Sequence, residues 1–201
     1  SRLATLPDAA ALLGQLVQLI EPSRLVFSSW GLREGLLYSK LDKGTKAQDP
    51  MLAGVAAFAE GLGVSASTAT MVTGWTAQAD DEGATGDGKL RLAATMLSLA
   101  AMRSEPNLRA EQAMSWALRK RWIGLDARGR ARMAMAVLAN AGRIAVPDEF
   151  TSLASEAELK RAISWGLAVR LCRKLTGCAP QAMSGTSLSR DDGRLLLVLH
   201  E

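Results

Sequence analysis

From Pro50 to Thr176 the chain is written largely in alanine, leucine and methionine at helical spacing, and that texture restricts its fold more than any other feature. Apolar residues recur every three to four positions over roughly 50–60, 65–79, 88–103, 107–121, 127–141 and 155–176, the period of a helix that buries one face. The ending is different. "TSLSRDDGRLLLVLHE" (186–201) has two extended runs around Asp191-Asp192-Gly193, which predicts a β-hairpin. Ahead of the helices, residues 8–20 present Ala11, Leu12, Leu16, Leu19 and Ile20 as an apolar face, with Pro7 and Asp8 as a start signal and Glu21-Pro22-Ser23 as a stop. Arg24 to Ser28 reads as a short strand and Leu32 to Leu41 as a further helix, followed by a polar stretch, Asp42 to Pro50, that reads as an inter-domain linker. The expectation is a mainly α protein: a helix-strand-helix segment over 1–42, then a multi-helix domain with a short C-terminal β-hairpin over 43–201.

A length of 201 residues suits one domain, or one domain and a fragment of another. A hydrophobic content of 48% with mean hydropathy +0.08 predicts a globular, soluble chain, and its apolar runs are too short for a membrane span. The first residues, "SRLATLPDAAALLGQL", lack the pattern of a secretory leader. Cys172 and Cys178 are too few for a disulfide framework and read as incidental thiols of a cytoplasmic protein. The single histidine, His200, stands one residue from the end. Zinc catalysis and Ser–His chemistry both need imidazole at defined positions, so these are excluded and neither a catalytic residue nor a metal ligand is assigned. "DDEGATGDG" (80–88) carries four acidic residues at a spacing that fits no EF-hand, and reads as a solvated loop. The net charge of +4 favours an anionic partner.

One short stretch is more specific. In "SSWGLREGLLYSKL" (28–41), Gly31 and Gly35 bracket Arg33 and Glu34 at the start of a helix. By itself this reads as a helix-start ion pair. Together with the apolar helix and strand before it, through "LPDAAALLGQLVQLIEPSRLVFSSWGLREGLLYSKL", the segment resembles the exopolyphosphatase/guanosine pentaphosphate phosphohydrolase family. There a Gly-x-Arg-Glu-Gly turn closes the second actin-like domain, and Gly31, Arg33, Glu34 and Gly35 match it, with Ser28-Ser29-Trp30 where relatives carry acidic or small residues. The resemblance extends through residues 90–142, where Pro106, Arg109, Glu111 and Gln112 fall at the positions of that family's proline turn and Arg-x-Glu-Gln helix. It implies that 1–42 is the C-terminal end of an actin-like (ribonuclease H-like) domain and 43–201 a helical HD-like domain. It also implies a parent enzyme that hydrolyses phosphoanhydride bonds of polyphosphate, with Mg2+ as cofactor held in the actin-like domains outside this chain. The region itself would be catalytically empty, without a cofactor, and would support a homodimer. Its His-Asp dipeptide is missing, and Glu105-Pro106 stands where many relatives have His-Pro.

Basic clusters supply the remaining candidates. "RKRWIGLDARGRAR" (119–132) contains Arg119, Lys120, Arg121, Arg128, Arg130 and Arg132 against one Asp. Either these form a path for polyphosphate across one groove, or they are a solvated face whose stems cover apolar neighbours. Arg170, Arg173 and Lys174 share a helix face and read as solvated. A second function class, a helical nucleic-acid- or nucleotide-binding module, would use the same clusters. It would need stacking aromatics, whereas Trp116, Trp122 and Trp165 fall in apolar helix patterns and read as core.

Overall fold

The computed structural model describes residues 4–25, 31–80 and 87–200. The chain divides into two compact units, 1–42 and 43–201. In the first, α1 (Leu6–Ile20) starts on Pro7 and ends at Glu21 in the left-handed conformation, and α2 (Leu32–Ser39) follows. Neither buries a residue; Leu19 at the end of α1 is 82% exposed. Of the expected strand, Arg24 and Leu25 lie outside regular structure and 26–28 lie outside the described residues.

The second unit begins inside the polar stretch read as a linker, which winds a short helix, α3 (Lys43–Ala47). It continues with α4 (Pro50–Glu60), α5 (Ala66–Trp75) and a 3-10 turn (Ala77–Ala79). Beyond these come α6 (Gly88–Ala100), which tightens into a 3-10 turn at Ala101–Arg103, and α7 (Arg109–Arg119). The last helices are α8 (Ala127–Ala141), α9 (Asp148–Thr151), α10 (Glu156–Thr176) and α11 (Pro180–Ser184). Side chains that satisfy the first free N–H groups mark several starts. Asp49 accepts from Met51 and Leu52, Ser65 from Thr68, and Asp126 from Gly129. At α10, Ser155 and Glu158 form a reciprocal capping box, and Gly177 ends the helix in left-handed geometry.

Helix α8 is the centre of the unit, packed on α6, α7 and α10. It is buried from Ala131 to Asn140 on every face, a requirement its alanines and methionines meet because small and flexible side chains let three neighbours approach. The closest approach is at Gly166 of α10. A Cβ there would lie 2.7 Å from Ala139 Cβ and 2.9 Å from the Asn140 nitrogen.

The chain closes in an antiparallel hairpin, β1 (Thr186–Asp191) and β2 (Arg194–Leu199), with Asp191 opposite Arg194. Asp192 and Gly193 both have positive φ, 47° and 77°, the two-residue type I′ turn whose twist suits flanking strands. Leu188 buries its side chain, and the Trp75 indole donates to the Thr186 carbonyl at 3.0 Å, which holds the hairpin to α5. All of β2 is exposed. His200 follows it and contacts the Ser187 hydroxyl at 3.1 Å.

Candidate functional site

Four arginines among the described residues close helix ends, and the pattern is regular. The last four carbonyls of a helix lack partners inside it and carry the negative end of its dipole. In this unit successive helices end under a guanidinium from the next long one. Arg91 on α6 donates to Thr73 O at the end of α5 (2.5 Å). Arg109 on α7 donates to Ala101 O and Ser104 O beyond α6, both at 3.1 Å. Arg130 on α8 donates to Leu118 O (3.0 Å) and Lys120 O (2.7 Å) at the end of α7. Arg170 on α10 donates to Asn140 O of α8 at 3.0 Å. The five donors of a guanidinium suit several carbonyls at once.

This divides the six cations of 119–132. Residues two apart on a helix face opposite ways, whereas residues four apart share a face. Arg128 and Arg132 therefore both turn to α10 and its Glu158, while Arg130 turns back to α7. Burial lowers the pKa of the Arg130 guanidinium. Arg132 is buried and pairs with Asp87. Lys120 stacks its ammonium 3.9 Å from the Phe58 ring centroid, a cation–π contact above the Phe58–Trp116–Trp122 cluster. Arg119, Lys120 and Arg121 are exposed and make no ion pair among the described residues. The indole of Trp122, which is 6% exposed, donates to Trp116 O, and Trp165 is buried as well.

The acidic loop corrects another expectation. Asp80 and Asp87, read as solvated, point inward as the anchors of a buried charge network. Asp80 accepts from Arg161 Nε and Nη2, each at 3.1 Å, and from the Trp165 indole at 3.0 Å, with Arg91 3.5 Å away. Arg132 joins Asp87 and Glu158, and Arg161 also reaches Asp87 at 3.7 Å. Residues 81–86 of this stretch lie outside the described residues. Nothing in the local pattern marks Arg91, Arg132 and Arg161 as partners of these two aspartates, because they are brought together only when α6, α8 and α10 pack.

Glu158, at the start of α10, pairs with Arg128. The Arg128 hydrogen bond, aided by Ser155, holds its carboxyl at about 2, below an ordinary value of 4.5. A carboxyl depressed by folding contributes stability above its unfolded pKa and loses it as pH falls through the folded value. Glu158→Gln is expected to cost about 1 kcal/mol at neutral pH, a modest figure because Arg128 is largely solvated. Its stability should also fall less than the parent's between pH 4.5 and pH 2. Urea titrations at fixed pH would show this, and parallel profiles would count against it.

The glycine-bracketed turn of the first unit builds the start of α2. Glu34 Oε2 accepts the Gly31 N–H at 2.8 Å, and Arg33 reaches Glu34 Oε1 at 3.1 Å from an exposed position. A Cβ at Gly35 would meet nothing within 4 Å. In the second basic set, Arg170 caps α8, Arg173 is half-buried with an unpaired Nε, and Lys174 is exposed. The inward carboxylates Asp80, Asp87 and Glu158 are each neutralised by guanidinium groups, so they do not fit a divalent cation. No His, Cys, Asp and Glu side chains group as a metal site among the described residues. No helix among them is long and apolar enough to cross a membrane. The chain matches no protein-family model, and no curated protein matches it.

Proposed function

We propose that the chain is the C-terminal region of a cytoplasmic phosphoanhydride hydrolase of the exopolyphosphatase/guanosine pentaphosphate phosphohydrolase type. In this reading the helical unit is an HD-like domain that holds polyphosphate, while the first unit belongs to an actin-like domain. Catalysis and Mg2+ belong to the parent's actin-like domains, outside this chain. The Gly31-Leu32-Arg33-Glu34-Gly35 turn and the hairpin-closed helical domain support the family reading. The exposed apolar face of α1 suits a segment that packs on further protein, either those domains or a second copy.

The observation that carries the binding part is the end of α7. Arg119, Lys120 and Arg121 are three consecutive exposed cations without a carboxylate partner among the described residues. Polyphosphate carries close to one negative charge per unit, so contacts add along the chain and weaken with salt. Trp122 and Trp165 are buried and Trp116 is half-buried against Phe58, so little aromatic surface is open to bases, which favours a polyanion without bases over a nucleic acid.

The test is binding of long-chain polyphosphate at low salt. Arg130 and Arg132 are poor probes, since removing them strands helix-end carbonyls and Asp87. Arg119→Gln/Lys120→Gln/Arg121→Gln is expected to weaken binding about tenfold or more and to reduce the salt slope by about 2. The protein is expected to bind without turnover when magnesium is added. Equal binding by parent and triple variant would identify a solvated face, and tighter binding of single-stranded DNA would favour the nucleic-acid reading.

A further inference from the structure

Cys172 and Cys178 converge on one hydroxyl. Cys172 Sγ, fully buried near the end of α10, lies 3.7 Å from Thr176 Oγ1. The backbone N–H of Cys178 donates to the same oxygen at 3.1 Å. The chain gets there through two successive left-handed residues, Gly177 (φ 60°) and Cys178 (φ 59°). The second is a conformation that an L side chain adopts only at a cost. This tight reversal folds Cys178 back over the last turn of the helix, where the two thiols lie close enough to perturb each other's ionisation.

The thiols are unequal. Cys178 is half-buried, and the neighbouring Cys172 thiol, with the nearby Arg173 guanidinium, brings it down to about 7. Cys172 is pushed up, first by the neighbouring Cys178 thiol and then by burial. Arg173 makes no ion pair with a carboxylate among the described residues, and its buried Nε has no partner. An accessible thiolate beside a cation, with a second thiol in reach, is the arrangement of a peroxide-reactive pair.

We propose that Cys172 and Cys178 form a reversible dithiol–disulfide pair oxidised by hydroperoxides, with Cys178 the attacking and Cys172 the resolving thiol. The Cys178 thiolate attacks one peroxide oxygen, the O–O bond breaks, and the departing hydroxide takes a proton to become water, leaving a sulfenic acid. Cys172 gives up its proton, its sulfur displaces the hydroxyl from the Cys178 sulfenic acid, and a second water leaves as the S–S bond forms. Two thiols lose two electrons in all, and hydrogen peroxide is reduced to two waters. This pair is independent of polyphosphate binding.

The test treats the full, reduced 201-residue protein with graded hydrogen peroxide. Free thiols are then alkylated in denaturant and the protein is digested with trypsin. Arg173 and Lys174 lie between the cysteines, so cleavage turns an internal disulfide into a linked peptide pair. The expected result is loss of both alkylatable thiols, a linked pair in a protein still monomeric on a non-reducing gel, and recovery with dithiothreitol. Cys172→Ser should accumulate a dimedone-reactive sulfenic acid at Cys178. Arg173→Gln should slow thiol loss about twofold near neutral pH, by removing the smaller of the two influences that lower the Cys178 thiol. Accumulation of sulfinic or sulfonic acid at Cys178 in the parent without a linked pair, or exclusively intermolecular disulfides, would overturn the pair. Faster oxidation of Cys172 in Cys178→Ser than of Cys178 in Cys172→Ser would reverse the assigned order and sink it as stated.

Discussion

Gly166→Ala is expected to cost about 3 kcal/mol and to lower the melting temperature by about 6–12 °C. At an open helical position the same change is favourable by about 0.5–1 kcal/mol, since glycine loses more backbone freedom on folding. Here the new methyl would press on α8 itself, inside contact distance of the Ala136 carbonyl oxygen, the Ala139 methyl and the Asn140 nitrogen. Backbone atoms of a helix buried along this stretch cannot swing aside as a side-chain tip can. The only relief is to separate α8 from α10, which opens the central packing of the unit. Gly74→Ala on α5 is the internal comparison, because a Cβ there meets nothing within 4 Å, and it should raise the melting temperature slightly. Thermal unfolding of the two variants decides the matter. Shifts of the same sign would mean that α8 and α10 are not in such close contact.

Asp80→Ala is expected to cost about 3–5 kcal/mol, because it leaves buried cations without their counter-charge. Arg91 is 10% exposed at its side chain, and Arg161 and the Trp165 indole both donate to the same carboxylate. Burial lowers the pKa of the Arg91 guanidinium, and Asp80 is what offsets that. The size of the loss lies in the stranded partner more than in the lost attraction. A second substitution that removes the stranded charge should therefore restore part of it. Asp80→Ala/Arg91→Met is expected to be more stable than Asp80→Ala alone. Urea unfolding of the two single variants, the double variant and the parent would measure the coupling. Additive losses would show that the network does not act as a unit.

The helical organisation was readable because its signals are local. The apolar spacing of residues 127–141 and of 155–176 needs no knowledge of the rest of the chain, and α8 and α10 fall there to within a residue. Asp191-Asp192-Gly193 likewise carried its turn type in its own side chains. Short helices were harder. Lys43–Ala47, Asp148–Thr151 and Pro180–Ser184 are each about one turn long, too short for a periodic pattern, so flanking structure decides whether they form.

The basic cluster shows where local reading ends. Arg128, Arg130 and Arg132 look alike in sequence, and helical geometry alone sends the middle one to the opposite face. That Arg130 closes the end of α7, while Arg132 meets Asp87 across 45 residues, depends on which helices lie beside α8. The same holds for Asp80, whose partners Arg161 and Trp165 are 81 and 85 residues away. Sequence by itself determined where the long helices run and how the hairpin turns, because those follow from neighbouring residues. Tertiary structure alone decided which charges are structural and which remain exposed, because a charge's surroundings are set by helices distant in the chain, and burial makes an unpaired charge too costly to leave.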